Sequence, residues 1–242
     1  MPKQKLIKNL VQKQNLSSLG KLLNSLHPAD VAFILESLPL DDRLIVWDLV
    51  RADRDGEILI EVSDSVRQTL IADMDSTELL AAAEQLDTDE IADIAADLPE
   101  NVLQDLLDSL DTNNRQRLES ALSYPEDQVG ALMDFDIVTI RDDISIEVAL
   151  RYLRKIKKLP ELTDKLFVVS RSQKILGVLP LKKIVVNEPE LMVKEVMSNE
   201  AVLFKANDDA AEAAKAFERY DLVTAPVVNE DNRLVGRITV DA

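Results

Sequence analysis

The sequence predicts a multidomain α and α/β protein: an all-helical, solenoid-like superhelical domain first, then two tandem copies of one α/β module. Three observations predict it: a change of composition near Tyr124, a helical repeat before that point, and a strand-helix-strand-strand pattern that occurs twice after it.

The composition change sets the boundary. Met1 to Pro125 carries 11 basic and 24 acidic residues, net −13, whereas Glu126 to Ala242 carries 17 and 21, net −4. The first part is rich in Ala, Leu and Asp, has few β-branched runs, and is punctuated by Leu38-Pro39 and Leu98-Pro99. Such a stretch reads as short helices.

A repeat supports that reading. His27 to Pro39 (HPADVAFILESLP) aligns without gaps on Asp87 to Pro99 (DTDEIADIAADLP). Val31, Ile34, Leu35 and Leu38 match Ile91, Ile94, Ala95 and Leu98, each set spaced i, i+3, i+4, i+7, which puts one apolar stripe on a helix. The proline after each stripe is expected to stop it. A third copy begins at Asp75 (DSTELLAAAEQL). Helices that repeat in this way bury their stripes by stacking.

Past Tyr124 the pattern alternates. Strands are predicted over Ile137 to Ile140, Leu166 to Ser170 and Ile175 to Pro180, with a helix over Ser145 to Lys158. The same order returns as Ala201 to Phe204, a helix from Asp209 to Tyr220, Ala225 to Val228 and Leu234 to Val240. Gly177 and Gly236 fall at equivalent places inside the last strand of each copy.

Composition excludes several functions. The 242-residue chain has a formal net charge of −17, no Cys, a single His and five scattered Gly. Thiolate and ordinary zinc sites, a Ser-His-Asp centre and phosphate-cradling glycine loops are therefore not expected, and no catalytic role is. Strong acidity disfavours nucleic acid as a partner. No stretch reaches the roughly 20 apolar residues of a membrane span, and the basic start, Met1 to Lys13, has no apolar signal core. The absence of Cys suits a reducing, cytoplasmic setting.

From Gln68 to Asn114 there are thirteen acidic residues and no Lys or Arg. Asp89, Asp93 and Asp97 recur every four residues, opposite the stripe of Ile91, Ile94, Ala95 and Leu98, and are expected to face outward. Two readings stay open: a solvated face that maintains solubility, or a site for a hard divalent cation, since oxygen donors without His or Cys suit Mg²⁺ or Ca²⁺. His27, before Pro28, is expected to cap a helix; Trp47 and Phe33 are expected to fill the helical core. Arg151, Arg154, Lys155, Lys157 and Lys158 form a basic helix face that is solvated or meets an acidic domain.

Phe167-Val168-Val169, a polar turn and Ile175-Leu176-Gly177-Val178, together with Ala225-Pro226-Val227-Val228 running through to Val240, resemble paired cystathionine-β-synthase (CBS) modules. The acidic Leu-Pro-terminated helices, followed by Tyr124-Pro125-Glu126-Asp127 and Gly130-Ala131-Leu132-Met133, resemble the junction between the amino-terminal domain and the CBS pair of MgtE magnesium transporters. The resemblance covers nearly the whole chain and implies an amino-terminal domain over 1–125 and CBS modules over 126–190 and 191–242. It implies the cytosolic, Mg²⁺-sensing part of a transporter at the cytoplasmic face of the membrane, without the membrane-spanning portion, in which Mg²⁺ between domains favours a compact, pore-closed state. Counterparts of the family's Mg²⁺ ligands are Glu57, Asp89, Asp93, Asp221 and Asp241, with the Gly130 carbonyl; Asp97 competes if the alignment slips one turn.

Exposed apolar helix faces on the two modules, Ser145 to Lys158 and Asp209 to Tyr220, predict a homodimer through the CBS pair. The pair also raises ATP or another adenine nucleotide as a ligand, and with it a stand-alone nucleotide-sensing CBS adaptor as the alternative function. The ribose-binding pattern that the resemblance leads one to expect is incomplete: Gly177 to Lys183 lacks its hydroxyl and its acid, and the second copy has Thr239 but Ala242 where the acid would fall. Lys182, Lys183 and Arg237 remain as phosphate contacts through charge alone.

Overall fold

The computed structural model describes residues 16–156 and 158–242. Lys157 of the basic face and the start of the chain lie outside them. Two compact units divide the chain between Leu118 and Glu119.

The first unit is a run of short helices: α1 (Leu16–Leu23), α2 (Pro28–Glu36), α3 (Leu40–Trp47), α4 (Asp55–Glu61), α5 (Asp64–Ile71), α6 (Ser76–Ala83), α7 (Thr88–Ala95) and α8 (Glu100–Ser109), with α9 (Thr112–Leu122) crossing the boundary. Both predicted stripes are buried, Val31, Ile34, Leu35 and Leu38 in one and Ile91, Ile94, Ala95 and Leu98 in the other. The prolines do more than stop helices. Pro39 and Pro99 sit at the N-cap positions of α3 and α8, so each separates one helix from the next. Asp75 and Asp87 open α6 and α7 with capping boxes to Glu78 and Glu90. His27 caps α2, its Nδ1 accepting from the Ala29 amide at 3.3 Å. Trp47 is buried, but Phe33 is 61% exposed, which corrects the expectation that it fills the core. In helical projection it falls opposite the side that carries the buried Val31, Ala32, Ile34 and Leu35.

Three arginines of this unit turn towards main-chain carbonyls at helix carboxyl ends, where the helix dipole favours a cation. Arg43 donates to Leu35 and Leu38, Arg54 to Leu23 and Leu26, and Arg67 to Leu59.

The second unit contains two sheets of one topology. In the first, β1 (Thr139–Arg141) pairs parallel with β2 (Lys165–Val169), which pairs antiparallel with β3 (Ile175–Pro180); in the second, β4 (Phe204–Lys205), β5 (Thr224–Val228) and β6 (Leu234–Thr239) do the same. The helices are α10 (Ile146–Lys155), α11 (Leu181–Val186), α12 (Val193–Val196) and α13 (Ala210–Tyr220). Ser145 and Asp209 are the N-caps of α10 and α13.

The equivalence of Gly177 and Gly236 holds in register, Val168 opposite Gly177 and Val227 opposite Gly236, with a shift one residue later in both sheets. Each glycine lies where another segment crosses the strand. A Cβ on Gly177 would stand 2.3 Å from the Ser198 carbonyl oxygen, and one on Gly236 would stand 2.2 Å from Met133 Cγ.

The modules are laced together. The Ile175 amide donates to Asn232 at 3.2 Å and the Leu234 amide donates to Gln173 at 2.9 Å, joining the two hairpins reciprocally. Gln173 and Asn232 both take positive φ there. The segment before β1 packs on the second module: Val129 and Met133 share a core with Phe204, Phe217, Ala225 and Ile238. Its amides follow, Val129 donating to Asp208 and Gly130 to Ala206.

Candidate functional site

The Asp row of α7 is the most concentrated chemistry of the first unit. Ile91, Ile94 and Ala95 anchor the inner face, so Asp89 is half-buried and Asp93 is exposed on the other side. Enough protein surrounds the Asp93 carboxylate, despite its exposed edge, that partial desolvation raises its pKa, with the Arg67 guanidinium opposing. Glu57 is exposed on α4, which packs against α7.

Asp97 departs from the outward expectation. Its side chain is only 12% exposed and pairs with Arg67, Nε to Oδ2 at 2.7 Å, while Gln68 Nε2 donates to its other oxygen at 3.0 Å. The physical reason is position: Asp97 lies in the turn that follows α7, where the chain bends back over α5 and its buried arginine.

Asp55, at the start of α4, is a carboxylate that sequence reasoning did not single out. Burial, then the charges of Glu78 and Asp53, push its pKa up to about 6. The close approach of α4 to α6 creates this environment, and Gly56 permits it: a Cβ there would lie 2.4 Å from the Ala82 carbonyl oxygen.

In the second unit, Gly130 is buried beneath the Tyr124 ring, which a Cβ would approach to 2.5 Å. Asp221 caps α13 in the left-handed region, φ 49° and ψ 47°, a conformation that Asp tolerates through its short polar side chain. It is exposed, as is Asp241 after β6. Among the described residues, no three carboxylate or imidazole groups converge into a metal-holding cluster. The donor set that is present, carboxylates and a carbonyl, suits a hard cation.

The nucleotide candidates are dispersed. Lys182 is exposed on α11, and Lys183 Nζ donates to the Val196 carbonyl at 2.7 Å. Thr239 pairs with Thr224 across β5 and β6. Arg237 is 5% exposed and commits its guanidinium to Asp134 and to the Glu161 carbonyl. A polar network missed by the sequence reading sits where β2 and β5 begin: Thr224 Oγ1 donates to Asp164 at 2.6 Å, and Lys165 Nζ donates to the Thr224 carbonyl at 2.8 Å. Those residues lie sixty positions apart, so only the pairing of modules brings them together.

Two like α/β modules laced through their hairpins, preceded by an acidic helical domain, define a CBS pair with an attached helical domain. The family model for the MgtE intracellular N domain matches residues 26–127, and that for the CBS domain matches 129–188 and 193–242. The chain thus carries an MgtE intracellular N domain followed by two CBS domains. It is 29% identical over 238 residues to the magnesium transporter MgtE of Thermus thermophilus, covering 97% of this chain and 53% of that protein. Against MgtE of Bacillus subtilis the identity is 26%, over 96% of this chain and 51% of that protein. The chain thus spans about half the length of the curated relatives it matches. A crystal structure of the cytosolic domain of the Mg²⁺ channel MgtE in complex with ATP superposes with a TM-score of 0.82 at 29% identity, covering 97% of this chain and 96% of that one. No helix among the described residues is long and apolar enough to cross a membrane.

Proposed function

We propose that this chain is the Mg²⁺-sensing regulatory region of a magnesium transporter, acting at the cytoplasmic face of the membrane in a regulatory rather than a catalytic role. Glu57, Asp89 and Asp93 in the helical domain, and Asp221, Asp241 and the Gly130 carbonyl in the CBS pair, would hold the ions. Bound Mg²⁺ offsets repulsion among carboxylates. At high Mg²⁺ a compact, pore-closed arrangement is favoured, and at low Mg²⁺ unmasked charge favours separation, so the ion selects between two states. The CBS modules would form the homodimer that carries this change.

The observation that carries the reading is the inward commitment of Arg43 and Arg54 to main-chain carbonyls, in a domain that places most of its carboxylates at the surface. Millimolar MgCl₂ should raise the melting temperature and protect the segment from Tyr124 to Met133 against protease, because a ligand that binds the native state stabilises it. NaCl of equal ionic strength should do less, since screening does not bridge carboxylates. Equal effects of the two salts would return the row to a solvated face.

A second reading, nucleotide sensing by a CBS adaptor, draws support from the ATP held by the related cytosolic domain. A larger thermal shift with ATP alone than with MgCl₂ would favour it.

A further inference from the structure

We propose that residues 1–15, a basic and apolar segment, dock on an apolar patch with an acidic rim that α2 and α3 present. The occupant is the chain's own amino-terminal segment, so the proposal stands apart from Mg²⁺ binding.

The patch is local. Among the described residues of the first unit, the large apolar side chains that stand exposed are Leu16, Phe33, Leu40 and Ile45, at 41%, 61%, 50% and 42%, and none occurs from Val46 to Leu118. They fall in α1 to α3, the first described helices, where a stack of repeats leaves an apolar face that a terminal cap closes. The helices α2 and α3 pack on one another. Acid rims the apolar positions: Glu36 lies one turn after Phe33, and Asp41 and Asp48 lie one turn to either side of Ile45, all three exposed. Arg43, the single Lys or Arg from Leu22 to Val50, spends its guanidinium on the Leu35 and Leu38 carbonyls and does not balance this rim.

The complement is carried by the same chain. Residues 1–15 hold four Lys and no acid, whereas residues 16–118 hold 7 basic and 23 acidic residues, net −16. Leu6, Ile7, Leu10 and Val11 recur at i, i+1, i+4 and i+5, one apolar stripe at helical spacing, interleaved with Lys5, Lys8 and Lys13. The segment ends at Leu16, and fifteen residues span about 22 Å as a helix or up to about 50 Å extended. A unit of this length has a radius of gyration of about 13 Å, so the patch is within reach. Docking is then intramolecular, at an effective concentration of roughly millimolar. An anionic lipid surface is the poorer occupant, because it would repel the net −16 unit to which the segment is tethered.

Limited trypsin digestion of the full chain, with cleavage after Lys5, Lys8 and Lys13 read by mass spectrometry, tests the docking. At low salt the parent should be cut about fivefold or more slowly than either Phe33→Glu or the double variant Leu6→Asp with Leu10→Asp, since protease follows the undocked population. High NaCl should narrow that difference, because screening weakens attraction between exposed charges. Phe33→Glu changes only an exposed side chain, and should it fail to fold, the double variant, which alters nothing in α1 to α9, still decides. Carbodiimide coupling of a mixture of ¹⁵N-labelled and unlabelled chains locates the contact: Lys5, Lys8 or Lys13 should join Glu36, Asp41 or Asp48 within one chain. Links between chains would make a second copy the occupant, and links that favour Asp73 to Asp111 would reduce the effect to general attraction by the acidic run; either overturns the proposal. Equal cleavage rates in the parent and both variants overturn it as well. So does binding of the parent to phosphatidylglycerol vesicles that the double variant loses and Phe33→Glu leaves unchanged, which would assign the segment to a lipid surface.

Discussion

Arg237 grips Asp134 across 103 positions of sequence by main chain and side chain together. Each residue's amide donates to the other's carbonyl at 2.8 Å, and the guanidinium meets the Asp134 carboxylate from two nitrogens. A third donor, the Asp136 amide, lies 2.6 Å from Asp134 Oδ1. Gly236 makes the grip possible, because only a residue without a Cβ lets Met133 and Asp134 cross β6 so closely. The segment that precedes β1 is thereby fixed to the last strand of the second module.

Arg237→Met should therefore destabilise the second unit. It leaves a carboxylate buried at 13% side-chain exposure without its partner, a loss of roughly 3 to 5 kcal/mol. The Val129 and Gly130 amides, donors to Asp208 and Ala206, should exchange with solvent faster. Trp47, the only tryptophan, reports the first unit, so its fluorescence midpoint in urea should move less than the far-ultraviolet circular dichroism midpoint. A loss below about 1 kcal/mol would show that the pair behaves as a solvent-screened surface bridge.

Gly177→Ala and Gly236→Ala should both destabilise, but for separable reasons. At Gly177 the obstacle is the Ser198 carbonyl, itself hydrogen-bonded to Val178 at 2.9 Å, and backbone cannot yield without breaking that bridge. At Gly236 the nearest atoms belong to the Met133 side chain, with the Asp134 carbonyl at 2.9 Å behind them. Overpacking of this kind costs about 1 to 3 kcal/mol, and Gly177→Ala should lie at the upper end. Thermal melts of Gly236→Ala with and without Met133→Ala provide the check: the second change should recover part of the loss, a coupling expected only of touching groups.

The Asp55 carboxyl should give the protein an acid-side stability. Its folded pKa, about 6, lies above the ordinary 3.8, so the native state binds more protons than the unfolded state between those values. Stability from this group is present at low pH and is lost as pH rises through 6. In chelator-treated buffer, Asp55→Asn should raise the melting temperature at pH 7.5 and change it little near pH 4. Parallel curves for parent and variant across that range would mean that neither burial nor the charges of Glu78 and Asp53 raise this carboxyl's pKa.

Local and periodic features were legible in the sequence. The stripes of α2 and α7, the His27 cap and the matched glycines of β3 and β6 all follow from spacing within a dozen residues. The exposure of Asp93, in the candidate site, was legible too, because placing it outward needs only helical geometry. Contacts at long range were not. Arg237 in a strand looks like a displayed phosphate contact until Asp134 is seen beside it, and Asp97 looks solvent-facing until Arg67, thirty residues earlier, is folded beneath it. No periodicity encodes either pairing. Charge pattern gave one usable hint: Arg67 is the last basic residue before a long acidic run, which is where an internal counter-ion would be sought.

A homodimer should form through α10 and α13. Val148 and Tyr152, one turn apart on α10, are 37% and 43% exposed, and Tyr220 at the end of α13 is 55% exposed. Val148→Glu with Tyr152→Glu should shift sedimentation at micromolar concentration from dimer to monomer with an unchanged circular dichroism spectrum, since neither side chain belongs to a buried core. A parent chain that sediments as a monomer at high micromolar concentration, with and without Mg²⁺, would remove the dimer from the proposed mechanism.

Replacing Asp89 and Asp93 together by Ala should separate fold from ion response. Both stand away from Ile91, Ile94 and Ala95, and Ala is the better helix former, so the helix should persist. Without Mg²⁺ the Asp93 change should not cost stability, because the carboxylate it removes is partly desolvated. The stabilisation by MgCl₂ should shrink, since Mg²⁺ demands near-octahedral oxygen geometry and tolerates lost partners badly. Melting curves over a MgCl₂ series distinguish the outcomes: a parent-sized shift in the double variant would take these two aspartates out of the site and leave Glu57, Asp221 and Asp241 to account for any binding.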